Sequence, residues 1–261
     1  MGMDRRRFIK IAGVSIMGLS LKPAVDLVDK LDASEVRVLH NPKALKGKRW
    51  AMIVDTRKCA QCKRCTAIEA CHHFHNVPQI PDPKREIKWI WEDSFEHAFP
   101  ELATRGEEQL SENIKKRPFI LMCNHCEHPP CVRVCPTQAT FQREDGIVMM
   151  DMHRCIGCRF CMAACPYGSR SFNWMDPRPY IKKENPEYPT RTKGVVEKCD
   201  FCAERIDQGL LPICVEACKS KALIFGDLGD PNSEVNRILK EHFTLRRKAE
   251  LGTGPQVYYI I

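Results

Sequence analysis

The feature that most constrains this chain is its cysteine content: sixteen cysteines in 261 residues, which fall into four groups of four. Such a density implies disulfides, zinc sites or iron–sulfur clusters. The similar spacing within the groups makes them an internal repeat of one small unit. The first group is Cys59, Cys62, Cys65 and Cys71; the second is Cys123, Cys126, Cys131 and Cys135; the third is Cys155, Cys158, Cys161 and Cys165; the fourth is Cys199, Cys202, Cys214 and Cys218.

The third group lies in the stretch CIGCRFCMAACP, with the spacing C-x2-C-x2-C-x3-C followed by Pro166. This run holds 4Fe-4S clusters in bacterial ferredoxins, where three thiolates bind one cluster and the fourth binds the other cluster of a pair. The second group, CNHCEHPPCVRVCP, keeps the pattern with two additional residues before Cys131, and Pro136 again follows the last cysteine. These two groups therefore predict 4Fe-4S clusters.

Zinc and disulfides are the alternatives for so many cysteines. Zinc ribbons use two CxxC pairs about 15–20 residues apart, and the fourth group, CDFC-x11-CVEAC, is the nearest to that spacing. Alone it would be ambiguous, but beside three ferredoxin-like groups it favours a cluster. Disulfides fit less well, because the many CxxC spacings would require small strained loops.

Short apolar segments beside the groups predict strands, and the residues after the cysteine triplets, such as 159–164, predict short helices. The expected strands are Trp50–Asp55, Phe119–Met122, Gly146–Met150, Ser171–Trp174 and Ala222–Phe225. Strand, cysteine loop and short helix are the parts of a ferredoxin-like unit. The sequence therefore predicts an α+β fold with short elements.

Three regions lie outside the repeat. Residues 76–117 contain Trp89, Trp91, Phe95 and Phe99 but no cysteine, and this insertion is either packed or a partner surface. Residues 176–194 are rich in proline, lysine and glutamate, which predicts a surface loop. Residues 233–251 place apolar side chains at helical spacing, which predicts an amphipathic helix.

The first 33 residues resemble an export signal. Arg5 and Arg6 precede Phe8-Ile9-Lys10 and an apolar run at 11–21, which is too short to span a bilayer and fits a twin-arginine signal or a retained anchor. A basic amphipathic helix is the alternative. The net charge of +8 is compatible with a membrane surface or an acidic partner, and it is too scattered to indicate nucleic acid.

Taken together, the groups resemble the four-cluster ferredoxin subunits of the dimethyl sulfoxide reductase superfamily, as in polysulfide, tetrathionate and nitrite reductase systems. The spacings CxxCx4CxxxCP and CxxCx11CxxxC and the closing GPQVYY carry the resemblance, which covers Arg49 to Ile261. With the export signal, it is greatest to the DsrO-type subunits of DsrMKJOP membrane complexes of sulfur metabolism. It implies two nested ferredoxin-like units, an outer one at 49–75 with 195–261 and an inner one at 118–175.

The resemblance also implies how the thiols hold four 4Fe-4S clusters, because in this family the first group pairs with the fourth and the second with the third. Set one is Cys59, Cys62, Cys65 and Cys218; set two is Cys71, Cys199, Cys202 and Cys214; set three is Cys123, Cys126, Cys131 and Cys165; set four is Cys135, Cys155, Cys158 and Cys161. The first group departs from the family pattern, since five residues instead of three separate Cys65 from Cys71.

The expected function is electron transfer by a non-catalytic subunit of an oxidoreductase complex. The chain has no phosphate loop, dinucleotide fingerprint or nucleophile motif. An enzyme with its own active site is one alternative, in which His72, His73 and His75 bind a metal or shuttle protons. Histidines beside a cluster more often lie on the surface and tune it through hydrogen bonds. A structural zinc scaffold is the other alternative.

The resemblance implies the partners as well. They are an integral membrane quinone-interacting subunit of the NrfD/DsrP type and a second redox subunit such as a multihaem cytochrome. The folded domain is then expected on the periplasmic side, held at the membrane by its partners. The alternative complex within the same family is a molybdopterin reductase of the polysulfide, tetrathionate or dimethyl sulfoxide type.

Overall fold

The computed structural model describes residues 41–106 and 111–261. The predicted export signal at residues 1–33 lies outside the described residues. Residues 43–261 form one unit. Within the described ranges, no helix has both the length and the apolar character needed to cross a bilayer.

In the described part of the chain, the strands are short and form one four-stranded sheet and three two-stranded ribbons. They are β1 (Trp50–Asp55), β2 (Ile90–Asp93), β3 (Phe119–Met122), β4 (Thr140–Gln142), β5 (Val148–Met150), β6 (Ser171–Phe172), β7 (Val196–Glu197), β8 (Leu223–Asp227), β9 (Thr244–Leu245) and β10 (Val257–Ile260). The sheet has the order β8-β1-β10-β9, and the ribbons are β2-β3, β4-β5 and β6-β7.

The helices are also short, and several of them contain a cysteine. They are α1 (Thr56–Cys59), α2 (Thr66–Phe74), α3 (Phe95–Ala98), α4 (Pro100–Gly106), α5 (Glu112–Lys115), α6 (Pro130–Arg133), α7 (Phe160–Ala164), α8 (Ala203–Ile206), α9 (Ile213–Glu216) and α10 (Glu234–Glu241). Single 3₁₀ turns occur at Pro83–Arg85, Arg178–Tyr180 and Ala249–Leu251.

Strand β1 is buried along its whole length, because both faces of the four-stranded sheet are covered. It runs parallel to β10 and antiparallel to β8. Alternate side chains of a strand point to opposite faces. Met52 and Val54 accordingly join the main core, whereas Ala51 and Ile53 pack with Val235 of α10 in a smaller cluster on the other face.

The aromatic side chains of the 76–117 insertion belong to the main core. Trp89, Phe95 and Phe99 are buried. The ring of Phe99 lies 5.6 Å from that of Phe119 in β3 and 5.4 Å from that of Tyr259 in β10. The side chains of Trp89, Phe95 and Phe99 are therefore unavailable to a partner protein. Strand β2 of the same insertion pairs with β3.

The predicted α+β class of short strands, cysteine loops and short helices is confirmed, with some bounds changed. Strands β1 and β3 have the expected limits, whereas β5 begins at Val148 and β6 ends at Phe172. The helix expected over 233–251 covers only Glu234–Glu241. It ends there because His242 is extended and the chain turns into β9, which pairs with β10. Phe243 is consequently 79% exposed instead of lying on an apolar helix face.

Candidate metal centres

All sixteen cysteines are free thiols, and all except Cys62 are buried or half-buried. The last cysteine of each group lies away from the first three cysteines of its own group and beside those of another group. This arrangement brings together residues as distant in sequence as Cys59 and Cys218.

The thiols of set one line a single cavity beside the four-stranded sheet. Its wall contains Cys59, Cys62, Cys65 and Cys218, together with Ile120 and Leu223 from the neighbouring strands. Burial, followed by the proximity of Cys218, Cys65 and Cys62, raises the pKa of Cys59 to about 12. Four thiols this close cannot all be ionised without a cation between them.

Set three lines a second cavity. Its wall contains Cys123, Cys126, Cys131 and Cys165. Burial, and then the nearby Cys123, raise the pKa of Cys126 to about 12, and the thiols of Cys131 and Cys165 add to the effect. Helix α6 carries Cys131, whereas Cys165 arrives at the end of α7.

Set four lines a third cavity. Its wall contains Cys135, Cys155, Cys158 and Cys161. The last cysteine of the second group thus lies with the first three of the third group. The contact between α6 and α7 accounts for this exchange, because Cys135 follows α6 and Cys165 follows α7.

The thiols of set two are the most deeply buried. Burial raises the pKa of Cys71 well above its usual range, and the nearby Cys214 and Cys199 raise it further. Burial does the same to the pKa of Cys202, with Cys214 and Cys71 as the next causes. Cys71 lies within the nine-residue helix α2, which begins immediately after Cys65. The two additional residues of the first group are therefore part of a helix that packs against α9, the helix that contains Cys214.

Unusual backbone angles shape the cysteine loops. Arg159 has φ of 64° and Cys202 has φ of 55°, both in the left-handed region. Gly157, between Cys155 and Cys158, has φ of 70°, and a Cβ at this position would lie 2.5 Å from the carbonyl oxygen of Gly194. Only glycine satisfies both the angle and the close approach.

Backbone N–H groups point at several sulfur atoms. Ile213 N donates to Cys202 Sγ over 3.4 Å, and Ala222 N donates to Cys218 Sγ over 3.3 Å. For Cys135, burial would raise the pKa, but N–H groups of Thr140, Thr137 and Ala139 and the Thr137 hydroxyl outweigh burial and lower it. Donors of this kind stabilise thiolate rather than thiol.

The donor chemistry of the four sets fits iron–sulfur clusters. Each set offers four sulfur atoms, and the surrounding N–H groups favour their ionised form. Thiolate sulfur is the ligand that holds 4Fe-4S clusters, and hydrogen bonds to sulfur are a usual part of such sites. The residues of the four sets therefore suit 4Fe-4S clusters.

The three histidines of the stretch CHHFH do not form one site. His72 Nε2 lies 3.0 Å from the carbonyl oxygen of Ile90, whereas His73 is exposed. His75 is buried rather than on the surface, with Nδ1 3.5 Å from Cys71 Sγ and Nε2 3.1 Å from Glu204 Oε1.

His75, Asp200, Cys202 and Glu204 bring ligand atoms within 4.8 Å of one another. This group shares Cys202 with set two. It is therefore part of the surroundings of that set rather than a separate centre.

Sequence patterns did not reveal the buried charges around the sets. Lys198 is buried and donates to the carbonyl oxygens of Cys199 and Val148. Arg170 is buried and donates to Cys131 Sγ over 3.0 Å. In the sequence, each of them is an ordinary basic residue near a cysteine group, and basic residues are usually exposed.

Comparisons with known proteins agree with this chemistry. The family model described as a 4Fe-4S dicluster domain matches residues 117–183 and 176–228. The chain is 40% identical to the Hdr-like menaquinol oxidoreductase iron-sulfur subunit 1 of Archaeoglobus fulgidus, over 98% of this chain and 97% of that protein.

Two further relatives have similar coverage. A tetrathionate reductase subunit of Salmonella typhimurium is 35% identical over 100% of this chain and 89% of its own length. The menaquinone reductase iron-sulfur cluster-binding subunit of Nitratidesulfovibrio vulgaris is 35% identical over 81% of this chain and 88% of its own length. From the dicluster domain, the sulfur-lined sites and these likenesses, we conclude that the chain belongs to the family of iron–sulfur electron-transfer subunits of quinol- and molybdopterin-type oxidoreductase complexes.

Proposed function

We propose that this protein holds four 4Fe-4S clusters, one in each cysteine set, and transfers electrons between a quinone-interacting membrane subunit and a second redox subunit. The observation that carries the proposal is the convergence of each cysteine triplet with the last cysteine of another group, seen as shared cavities for sets one, three and four. Bound clusters would each supply reversible one-electron redox chemistry. The protein supplies the thiolates and their spacing.

Contacts between neighbouring sets support a route from one to the next. Cys214 of set two lies within electrostatic range of Cys218 and Cys65 of set one. Cys199 of set two has the same relation to Cys123 of set three. These contacts give the order one, two, three for the proposed relay.

Set four continues the same order. Cys161 of set four lies within electrostatic range of Cys131 of set three. Sets one and four then form the two ends of the relay. Each end has at least one cysteine that is not fully buried, because Cys62 is exposed and Cys155 and Cys158 are half-buried.

The names of the relatives support a quinone-linked complex. One relative is a menaquinol oxidoreductase subunit and another a menaquinone reductase subunit. We propose an NrfD/DsrP-type membrane subunit as one partner and a multihaem cytochrome as the other, in a DsrO-type role in sulfur metabolism on the periplasmic side. The alternative complex is a molybdopterin reductase, which the likeness to the tetrathionate reductase subunit favours.

Purification of the native complex under anaerobic conditions tests the proposal. We expect a quinone-interacting membrane subunit to co-purify and the iron–sulfur chromophore of the complex to exchange electrons with a menaquinol or menaquinone analogue. A multihaem cytochrome among the subunits supports the first complex, and a molybdopterin subunit supports the alternative. A complex without a membrane subunit, or a chromophore that neither menaquinol reduces nor menaquinone oxidises, would contradict the proposed function.

A further inference from the structure

Arg170 is a buried cation that contacts sulfur. It precedes β6 and is 5% exposed. Its Nη2 atom donates to Cys131 Sγ over 3.0 Å and to Thr140 Oγ1 over 2.7 Å, and Nη1 lies 3.8 Å from Met150 Sδ. Thr140 also donates to a backbone carbonyl oxygen, so the guanidinium is held in a fixed direction.

This guanidinium lies between two cysteine sets. Burial would lower the pKa of Arg170, but the thiolates of Cys131, Cys161 and Cys123 outweigh burial and raise it. Cys131 and Cys123 belong to set three, and Cys161 belongs to set four. Arg170 also lowers the pKa of Cys161 by its charge, although burial, the largest cause, raises that pKa as a whole. Its electrostatic partners are therefore sulfur atoms from two different sets.

Within residues 41–106 and 111–261, no carboxylate neutralises this cation. Arg170 takes part in no ion pair there, whereas the other deeply buried arginine of the 170–191 region, Arg191, pairs with Glu197. A buried charge without a partner is costly, because it loses its hydration. Cysteine sulfur bound to a cluster is the negative charge available to compensate Arg170.

Set two has carboxylates beside it, although the buried cation of Lys198 also donates to the carbonyl oxygen of Cys199. Asp200 is buried beside it, and Asp200 and Glu204 both raise the pKa of Cys202, after burial, Cys214 and Cys71. His75 interacts with both carboxylates. Carboxylates disfavour additional negative charge on a neighbouring group, whereas a guanidinium favours it.

We propose that Arg170 raises the reduction potentials of the clusters held by sets three and four. This inference rests on the proposed function. Reduction adds one electron and therefore one negative charge to a cluster, and both a nearby cation and a hydrogen bond to sulfur stabilise the reduced form. Arg170 is not itself a cluster ligand. It acts on the clusters through their sulfur ligands. Arg170 thereby favours residence of the electron on the clusters held by sets three and four.

The test is an anaerobic potentiometric titration of the whole protein with dithionite and mediators, followed by electron paramagnetic resonance. In Arg170→Gln, which removes the charge, we expect two of the four midpoint potentials to fall and two to remain. Arg170→Lys keeps the charge, so its two shifts should be clearly smaller. Arg237→Gln is the matched control, because Arg237 is exposed on α10, and it should change none. Four unchanged midpoints in Arg170→Gln, or equal shifts in the lysine and glutamine variants, would overturn the proposal.

A measurement on the unmodified sequence covers the case in which Arg170→Gln does not assemble. Protein labelled with ¹⁵N at the guanidinium of arginine should show a ¹⁵N hyperfine coupling to a reduced cluster, because Nη2 of Arg170 lies 3.0 Å from Cys131 Sγ. Arg64 and Arg159 also line cysteine cavities, so the Arg170 coupling is the one that labelled Arg170→Lys should lose. Identical spectra from the labelled natural protein and labelled Arg170→Lys would overturn the proposal. If the natural protein instead lacks four reducible clusters, the proposed function itself is wrong. That outcome is distinguishable from a failure of the Arg170 proposal alone, in which four reducible clusters are present.

Discussion

A buried ion pair links three parts of the chain, and removing its negative charge is expected to destabilise the whole unit. Arg191 Nη2 lies 2.6 Å from Glu197 Oε2, and the two side chains are 2% and 0% exposed. Glu197 also accepts hydrogen bonds from Trp89 Nε1 at 2.9 Å and from Asn173 Nδ2 at 2.5 Å. The carboxylate thus joins the aromatic insertion, the segment after β6 and the strand β7.

Glu197→Gln keeps the size of this side chain and the oxygen that accepts from Trp89, but it leaves Arg191 buried without a counter-charge. Breaking a buried pair in this way costs about 3–5 kcal/mol of unfolding free energy. For a unit of this size, each kcal/mol changes Tm by about 2–4 °C, so we expect Tm to fall by about 6–20 °C. The assay is a thermal melt of anaerobically purified protein, followed by far-ultraviolet circular dichroism and by cluster absorbance.

Asp176→Asn is the control for this variant. Asp176 lies 2.6 Å from Arg178, but both side chains are about half exposed, and exposed pairs add little to stability. Its Tm should stay near that of the natural protein. If Glu197→Gln melts at the same temperature as Asp176→Asn, the buried pair does not hold the three segments together and the reasoning is wrong.

Three further predictions concern composition, location and loop geometry. Anaerobically purified protein should contain about sixteen irons per chain, four in each cluster, and elemental analysis showing stoichiometric zinc instead would contradict this. Replacing Arg5 and Arg6 by lysine should leave cluster-loaded protein in the cytoplasm, and normal export in cell fractionation would remove the twin-arginine interpretation. Gly157→Ala should lose about four of the sixteen irons, one cluster, because a Cβ at this positive φ lies 2.5 Å from the oxygen of Gly194; full iron content would refute the steric argument.

The short strands were the most predictable part of this molecule. Trp50–Asp55 and Phe119–Met122 have the predicted bounds, because a short apolar run beside a cysteine loop has few other ways to be buried. The cysteine spacing indicates the cluster type, since the loop must wrap around a cube of fixed size. The export signal, the domain bounds and the assignment of the cysteines to four clusters remain predictions.

The buried charges could not be predicted, because no local pattern distinguishes them from surface residues. Arg170, Lys198 and Glu197 are buried through contacts with segments at least 20 residues away. His75 was expected on the surface, but its ring stacks on Trp89 of the insertion at 4.4 Å. Such contacts depend on how segments distant in sequence pack together, which local sequence patterns do not reveal.

The central claim is that each cysteine group lends its last thiol to another cluster, and Cys165→Ser tests it. Cys165 follows the third group but lies with Cys123, Cys126 and Cys131. Cys135→Ser is the matched variant, because Cys135 follows the second group but lies with Cys155, Cys158 and Cys161.

The decisive measurement is an iron anomalous-diffraction map of Cys165→Ser crystals, which locates any iron that is lost. We expect the cluster held by Cys123, Cys126 and Cys131 to become a three-iron form, so that about fifteen of sixteen irons remain. The cluster held by Cys155, Cys158 and Cys161 should keep all four irons, and Cys135→Ser should give the reverse pattern. If Cys165→Ser instead damages the cluster held by Cys155, Cys158 and Cys161, each group binds its own cluster and the account is wrong.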